Sequence, residues 1–206
     1  MQIHHRPGTL TGLTDPRLLA ARSGLRDVLV EGDTVVLAFG TSLPMGKTEE
    51  NPYHLGDKGE LHEHFQFGTG TFDPLLEAYW TVPVGDALRI DGYAIGRVSL
   101  YENFKGYRGP VELTIGLNGT YQVSERLSVQ TGATVFHQGY AHWDGERDIN
   151  SGVTATSALV GASWHVESGL LFHAGLRLPL AQHVLSSEGD TFELGPSVMM
   201  SASMAF

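Results

Sequence analysis

The stretch VELTIGLNGTYQV, Val111–Val123, decides the fold class. Val111, Leu113, Ile115, Leu117, Gly119, Tyr121 and Val123 fall on one side of an extended chain. Glu112, Thr114, Gly116, Asn118, Thr120 and Gln122 fall on the other. Side chains of a strand alternate between two faces, so this stretch reads as a strand with one apolar and one polar face. The pattern recurs on both sides of it. Leu88, Ile90, Gly92, Ala94, Val98 and Leu100 oppose Arg89, Asp91, Tyr93, Arg97, Ser99 and Tyr101, and Leu170, Phe172, Ala174, Leu176, Leu178 and Leu180 oppose His173, Gly175 and Arg177.

Extended along the chain, the alternation predicts nine strands, near 13–24, 33–46, 68–84, 87–102, 109–123, 126–140, 152–167, 170–185 and 191–206. Many are twice the usual length of about five or six residues. Short turns fall near 84–87, 123–126 and 167–170, and longer polar loops near 47–66, 103–108, 141–151 and 186–190. No linker or second domain interrupts residues 1–206, a length suited to one domain or one closed barrel.

Composition narrows the function classes. Charged residues make up 17% and the net charge is −10, so no basic stripe exists to neutralise a nucleic-acid backbone. Cysteine is absent, which excludes thiol chemistry and disulfides. The Gly46-Lys47-Thr48 triplet lacks the upstream glycine spacing and the helix of a phosphate loop, and no cofactor is expected. No apolar run of about 18 residues signals a transmembrane helix. The opening MQIHHRPGTL has no apolar signal-peptide core, which alone points to the cytoplasm, although a chain lacking its beginning would read the same way.

One apolar face per strand suits a soluble sandwich or lipocalin-like barrel with that face inward. The inverse, a membrane barrel with the apolar face outward, fits better. The central spans of the apolar faces carry no charge, while the opposite faces hold Asp73, Glu77, Arg89, Asp91, Arg97, His165, His173 and Arg177. Trp80, Tyr121, Trp164, Phe172 and Phe206 sit on the apolar side near the short turns, as an interfacial aromatic girdle would, and Phe72 marks the opposite interface. Short turns on one side and long loops on the other complete the pattern of an antiparallel up-and-down outer-membrane barrel. The last strand alternates through Val198, Met200, Ala202 and Met204 to Phe206, a pattern similar to the terminal strand read by the outer-membrane assembly machinery. If Phe206 lies on the periplasmic side, alternating turns place the start of the first strand outside the cell. Even strand number then predicts one or three strands and a signal peptide upstream of Met1, within a barrel of about 10–12 strands.

The segment FQFGTGTFDPLLEAYW, Phe65–Trp80, breaks the alternation. Phe65 and Phe67 are in odd register and Phe72, Leu76, Ala78 and Trp80 in even register, which predicts a β-bulge around Gly68, Gly70 and Pro74. Together with LPMGK at Leu43–Lys47, the run QFGTGTFDP at Gln66–Pro74 and GLTDPRLLA at Gly12–Ala20, it resembles the meta-pathway of phenol degradation family of outer-membrane barrels over roughly residues 10–206. The resemblance implies a passive conduit in the outer membrane of Gram-negative bacteria, admitting aromatic or other hydrophobic compounds. The chain departs from that family in lacking its signal peptide and early strands.

The candidate lumen residues are Asp73, Glu77, Tyr79, Arg89, Asp91, Tyr93, Arg97, His173 and Arg177, with Glu77 and Asp73 expected to face Arg89 and Arg97 across the ladder. They would either brace the wall as ion pairs or line a path and tune what passes. His62 and His64 could ligate a metal, but no third ligand is identifiable, and no metal site is expected. Ser163, His165 and His173 lie together near one mouth but lack a complete catalytic arrangement, so no enzyme is expected. The readings left open are a channel for small, hydrophobic or aromatic solutes, a structural barrel plugged by its own side chains, and a soluble β-barrel. The expected partners are the lipid bilayer, the barrel-assembly machinery and an unidentified solute.

Overall fold

The computed structural model describes residues 11–166, 169–189 and 193–204. Nine strands form one antiparallel sheet in sequence order: β1 (Arg17–Arg26), β2 (Thr34–Ser42), β3 (Pro74–Val84), β4 (Leu88–Arg97), β6 (Glu112–Gln122), β7 (Leu127–Gln138), β10 (Val153–His165), β11 (Leu170–Val184) and β12 (Ser197–Met204). Each strand pairs with its neighbours in the chain, an up-and-down meander. Among the described residues β1 and β12 are the two ends of the sheet and are not paired with each other. Register slips once between Arg22 and Leu25 and once between Thr156 and Ser157.

Burial in this sheet is inverted relative to a soluble protein. Leu117, Leu76 and Phe39, all from strands paired on both edges, are 56%, 66% and 67% exposed, whereas Asp73 and Glu77 are 0% and 6% exposed. Leaving a leucine or phenylalanine in water forgoes about 1.5–3 kcal/mol each. Phe39 stands opposite Leu76 and Leu37 opposite Ala78, while Ala38 pairs Glu77 on the other face. The exposed band therefore runs from strand to strand, far beyond the scattered apolar side chains of a soluble surface. The sheltered face is packed by matching large residues to glycines. Tyr93 lies across Gly116, its registered partner, and bonds the Thr134 hydroxyl at 2.8 Å, while Asn118 fills the space beside Gly132.

Phe65–Trp80 corrects the expected bulged strand. β3 begins only at Pro74, and residues 68–73 are not strand. The two phases belong to two structures, so no bulge is needed, and proline takes the first strand position, where a missing donor costs least. Pro16 does the same immediately before β1, so both Asp-Pro pairs open strands. Elsewhere the expected strands shorten by a few residues and the loops gain structure. Helix α1 (Pro52–Asp57) lies within the expected 47–66 loop, capped by the Asn51 side chain, which accepts from the Tyr53 and His54 amides. Three two-residue strands, β5 (Tyr107–Arg108), β8 (His142–Trp143) and β9 (Glu146–Arg147), make a second sheet at the long-loop end.

Candidate functional site

The strands deliver the polar side chains to one face, and the loops fold over its long-loop end. The segment between Gly68 and Asp73 is held by side chains rather than by a ladder. Asp15 accepts the Gly46 and Thr69 amides at 2.6 and 2.7 Å. The Thr69 hydroxyl lies 2.8 Å from Asp73 Oδ2 and 3.1 Å from Asp15 Oδ2, and its single proton can serve only one of them. Thr71 Oγ1 donates to Asp73, and the Asn103 amide donates to the Thr69 carbonyl at 2.8 Å. Arg97 stands beside this knot, 4.0 Å from Asp73 and 2.8 Å from Glu112, which also accepts from Gln138 at 3.0 Å.

The remaining lumen candidates sort into smaller groups. Arg89 bonds Asp91 at 2.9 Å on its own strand, and Thr81 also donates to Asp91. Contrary to the expectation from their spacing, Glu77 does not pair with Arg89. It accepts from the Tyr79 hydroxyl at 2.7 Å, because the register sets Glu77 opposite Ile95 and Arg89 opposite Pro83. His173 Nδ1 lies 3.0 Å from Ser163 Oγ across the β10–β11 pair, and Arg177 is exposed between Leu159 and Ser197. Of the aromatic candidates, Phe72, Tyr121, Trp164 and Phe172 are exposed, with Trp164 and Phe172 directly paired. Trp80 is half-buried because its indole N–H donates to Asp33 at 2.9 Å, drawing the β1–β2 turn onto it. Phe206 lies outside the described residues.

The long loops form a cap. The aromatic rings of Tyr107 and Trp143 pack at 4.8 Å with Ala141, and Tyr53 rests against them. The Tyr53 hydroxyl donates to Asp148 at 2.7 Å and the Asn51 amide to Asp144 at 2.7 Å, tying α1 to the β8–β9 region. Lys105 holds Glu50 and the Thr48 carbonyl, each at 3.0 Å. Burial pushes the Tyr53 phenol upward, reinforced by its bond to Asp148, and burial does the same to Tyr107. His142 is held below its ordinary range by burial and by the nearby Arg108 and Arg147 charges. Beneath the cap is a cavity of about 240 Å³ reached by Gln66, Arg97, Tyr107 and Glu112.

His62 and His64 are in edge-on contact at 5.1 Å, with His64 Nδ1 3.0 Å from the Asn150 amide and His62 Nδ1 3.1 Å from the Glu60 carbonyl. Among the described residues no group of three His, Cys, Asp or Glu side chains gathers as a metal site. The residues missed in the sequence are Asp15, Asp33, Tyr53, Thr69, Asn103, Trp143 and Asp148. The cap had one local signal, Asp144-Gly145 between Trp143 and Glu146, whose φ values of 49° and 83° make the turn such a dipeptide favours.

No family model matches the chain, and no curated protein matches it. Among solved structures it is similar to an outer membrane channel from Pseudomonas putida F1, at 16% identity and a TM-score of 0.65. The match covers 93% of this chain and 64% of the channel's. The fold is a transmembrane β-barrel wall. The inverted burial of the sheet and this likeness agree, and the sheltered polar face is the inner one.

Proposed function

We propose that the chain supplies wall and outer cap of an outer-membrane channel for small solutes, acting without catalysis. The observation that carries the reading is the continuous band of exposed large apolar side chains backed by buried Asp73 and Glu77. In this reading the band meets lipid in the outer membrane of a Gram-negative bacterium, and the alternating Val198, Met200, Ala202 and Met204 belong to the strand offered to the assembly machinery. Hydrophobic or aromatic solutes of the kind implied by the phenol-degradation resemblance suit the mouth, where Phe65, Phe67 and Tyr107 border the cavity.

Conductance of the purified protein in planar bilayers tests the reading, with discrete channel openings expected. A second reading, a barrel closed by its own side chains, is favoured by the cap and by the knot around Asp73. Absence of conductance, together with absence of liposome swelling for every solute tried, would establish the closed barrel instead.

A further inference from the structure

The cavity under the cap has an unusual imbalance of hydrogen-bonding groups. Gln66 Nε2 and Arg97 Nε both belong to residues lining it, both are withdrawn from water, and neither has a hydrogen-bond partner among the described residues. A buried donor without an acceptor is costly, because the hydrogen bond it gave up to water is not replaced. Of the nearby carboxylates, Glu112 Oε1 accepts from Arg97 and Gln138, and Asp148 Oδ1 accepts from the Tyr53 hydroxyl and from the Asn150 backbone amide at 3.0 Å. The Arg97 charge is therefore balanced by Glu112 and Asp73, and the cavity has donors to offer but no positive charge in excess.

We propose that this cavity is a binding subsite for a small uncharged solute presenting an acceptor oxygen, a carbonyl above all, to Gln66 Nε2 and Arg97 Nε. The proposal deepens the channel reading and rests on it. A carboxylate would bring a further negative charge beside Glu112 and Asp148, and an ammonium, itself only a donor, would leave Gln66 Nε2 and Arg97 Nε without an acceptor. Phe65, Phe67 and Tyr107 offer apolar surface for the body of the solute. A volume of about 240 Å³ falls below the roughly 300–1,000 Å³ of drug-sized sites and selects a small molecule.

Calorimetric titration of the purified protein in detergent with benzamide, benzoate and benzylamine tests this. These probes share a ring and differ in charge and in what they offer a donor. Benzamide is expected to bind, with the two charged probes about tenfold weaker or worse. Gln66→Glu keeps an oxygen to accept the Glu49 amide, which Gln66 Oε1 does at 2.8 Å, but removes the free donor. It should weaken benzamide about tenfold and improve benzylamine. Arg97→Lys, which removes Nε and keeps the charge beside Glu112, serves as a second variant should the first fail to fold. Benzoate binding as tightly as benzamide, no binding by any probe, or folded variants that bind benzamide like the parent would each overturn the subsite. Conductance, measured separately, fails or survives with the channel reading itself. A conducting protein that binds no probe sinks only this inference.

Discussion

At Asp33, one carboxylate organises a whole turn. Its oxygens accept the amides of Val28, Leu29 and Val30 at 2.8, 2.9 and 3.1 Å, and the Trp80 indole. Withdrawal from water pushes the carboxyl up, but these four donors outweigh it and hold it at about 2, below its ordinary 3.8. A depressed carboxylate stabilises the fold above the unfolded value and loses that contribution as pH falls from 3.8 through about 2. Asp33→Asn should therefore flatten the acid dependence of unfolding in that window and shift Trp80 fluorescence. An unchanged acid profile would show that the turn does not depend on the charge. Gly116 makes a second residue-scale case, since any Cβ there collides with the Tyr93 ring. Gly116→Ala is expected to cost about 1–3 kcal/mol in urea unfolding, because the ring must leave the Thr134 hydroxyl. In Tyr93→Ala the same change should cost almost nothing, a non-additivity that marks direct contact.

At the scale of elements, what was legible followed from period. The nine long strands show in the sequence because one face of each meets an apolar surrounding over many residues. The cap strands do not, since two residues carry no period and β5 finds β8 across 34 residues or more. Phe65–Asp73 imitated a strand because its phenylalanines alternate, yet its hydrogen bonds go to Asp15 and Asn103, partners no local pattern announces. Ion pairing was half legible: Asp73 with Arg97 followed from their neighbouring segments, but that Glu77 misses Arg89 and takes the Tyr79 hydroxyl of its own strand needed the exact register. The cap itself yields two expectations. Tyr53→Phe removes a hydrogen bond to a carboxylate, a loss of about 1.5–3 kcal/mol, and should speed amide exchange across residues 141–148 while leaving β6 and β7 protected. His142 has a depressed value, so below its ordinary 6.5 the opened cap takes up the proton first, and cap stability should fall as pH drops from there to the folded value. Exchange rates followed from neutral to mildly acidic pH would read this directly, and rates that slow on acidification would contradict it.

For the molecule as a whole, the decisive quantity is what the exposed band touches. Leu117 sits in the middle of β6 with 56% of its surface exposed, so in water Leu117→Arg would be almost neutral. In lipid near the midplane the same change costs about 2–4 kcal/mol, while Gln130→Lys on the inner face should be tolerated. Unfolding in phospholipid vesicles separates the two, and equal stability of both variants would argue against a membrane-facing band. The cap has a further consequence. Outer loops of barrels ordinarily diverge and accept foreign sequence independently, but here β5, β8 and α1 come from different loops and bind one another. Surface diversification must then be concerted, with change in one loop matched in its partners. An epitope inserted after Asp144 should abolish the assembled surface, whereas one after the exposed Ser187 should be displayed to antibody on intact cells. The cap is therefore expected to vary as one unit.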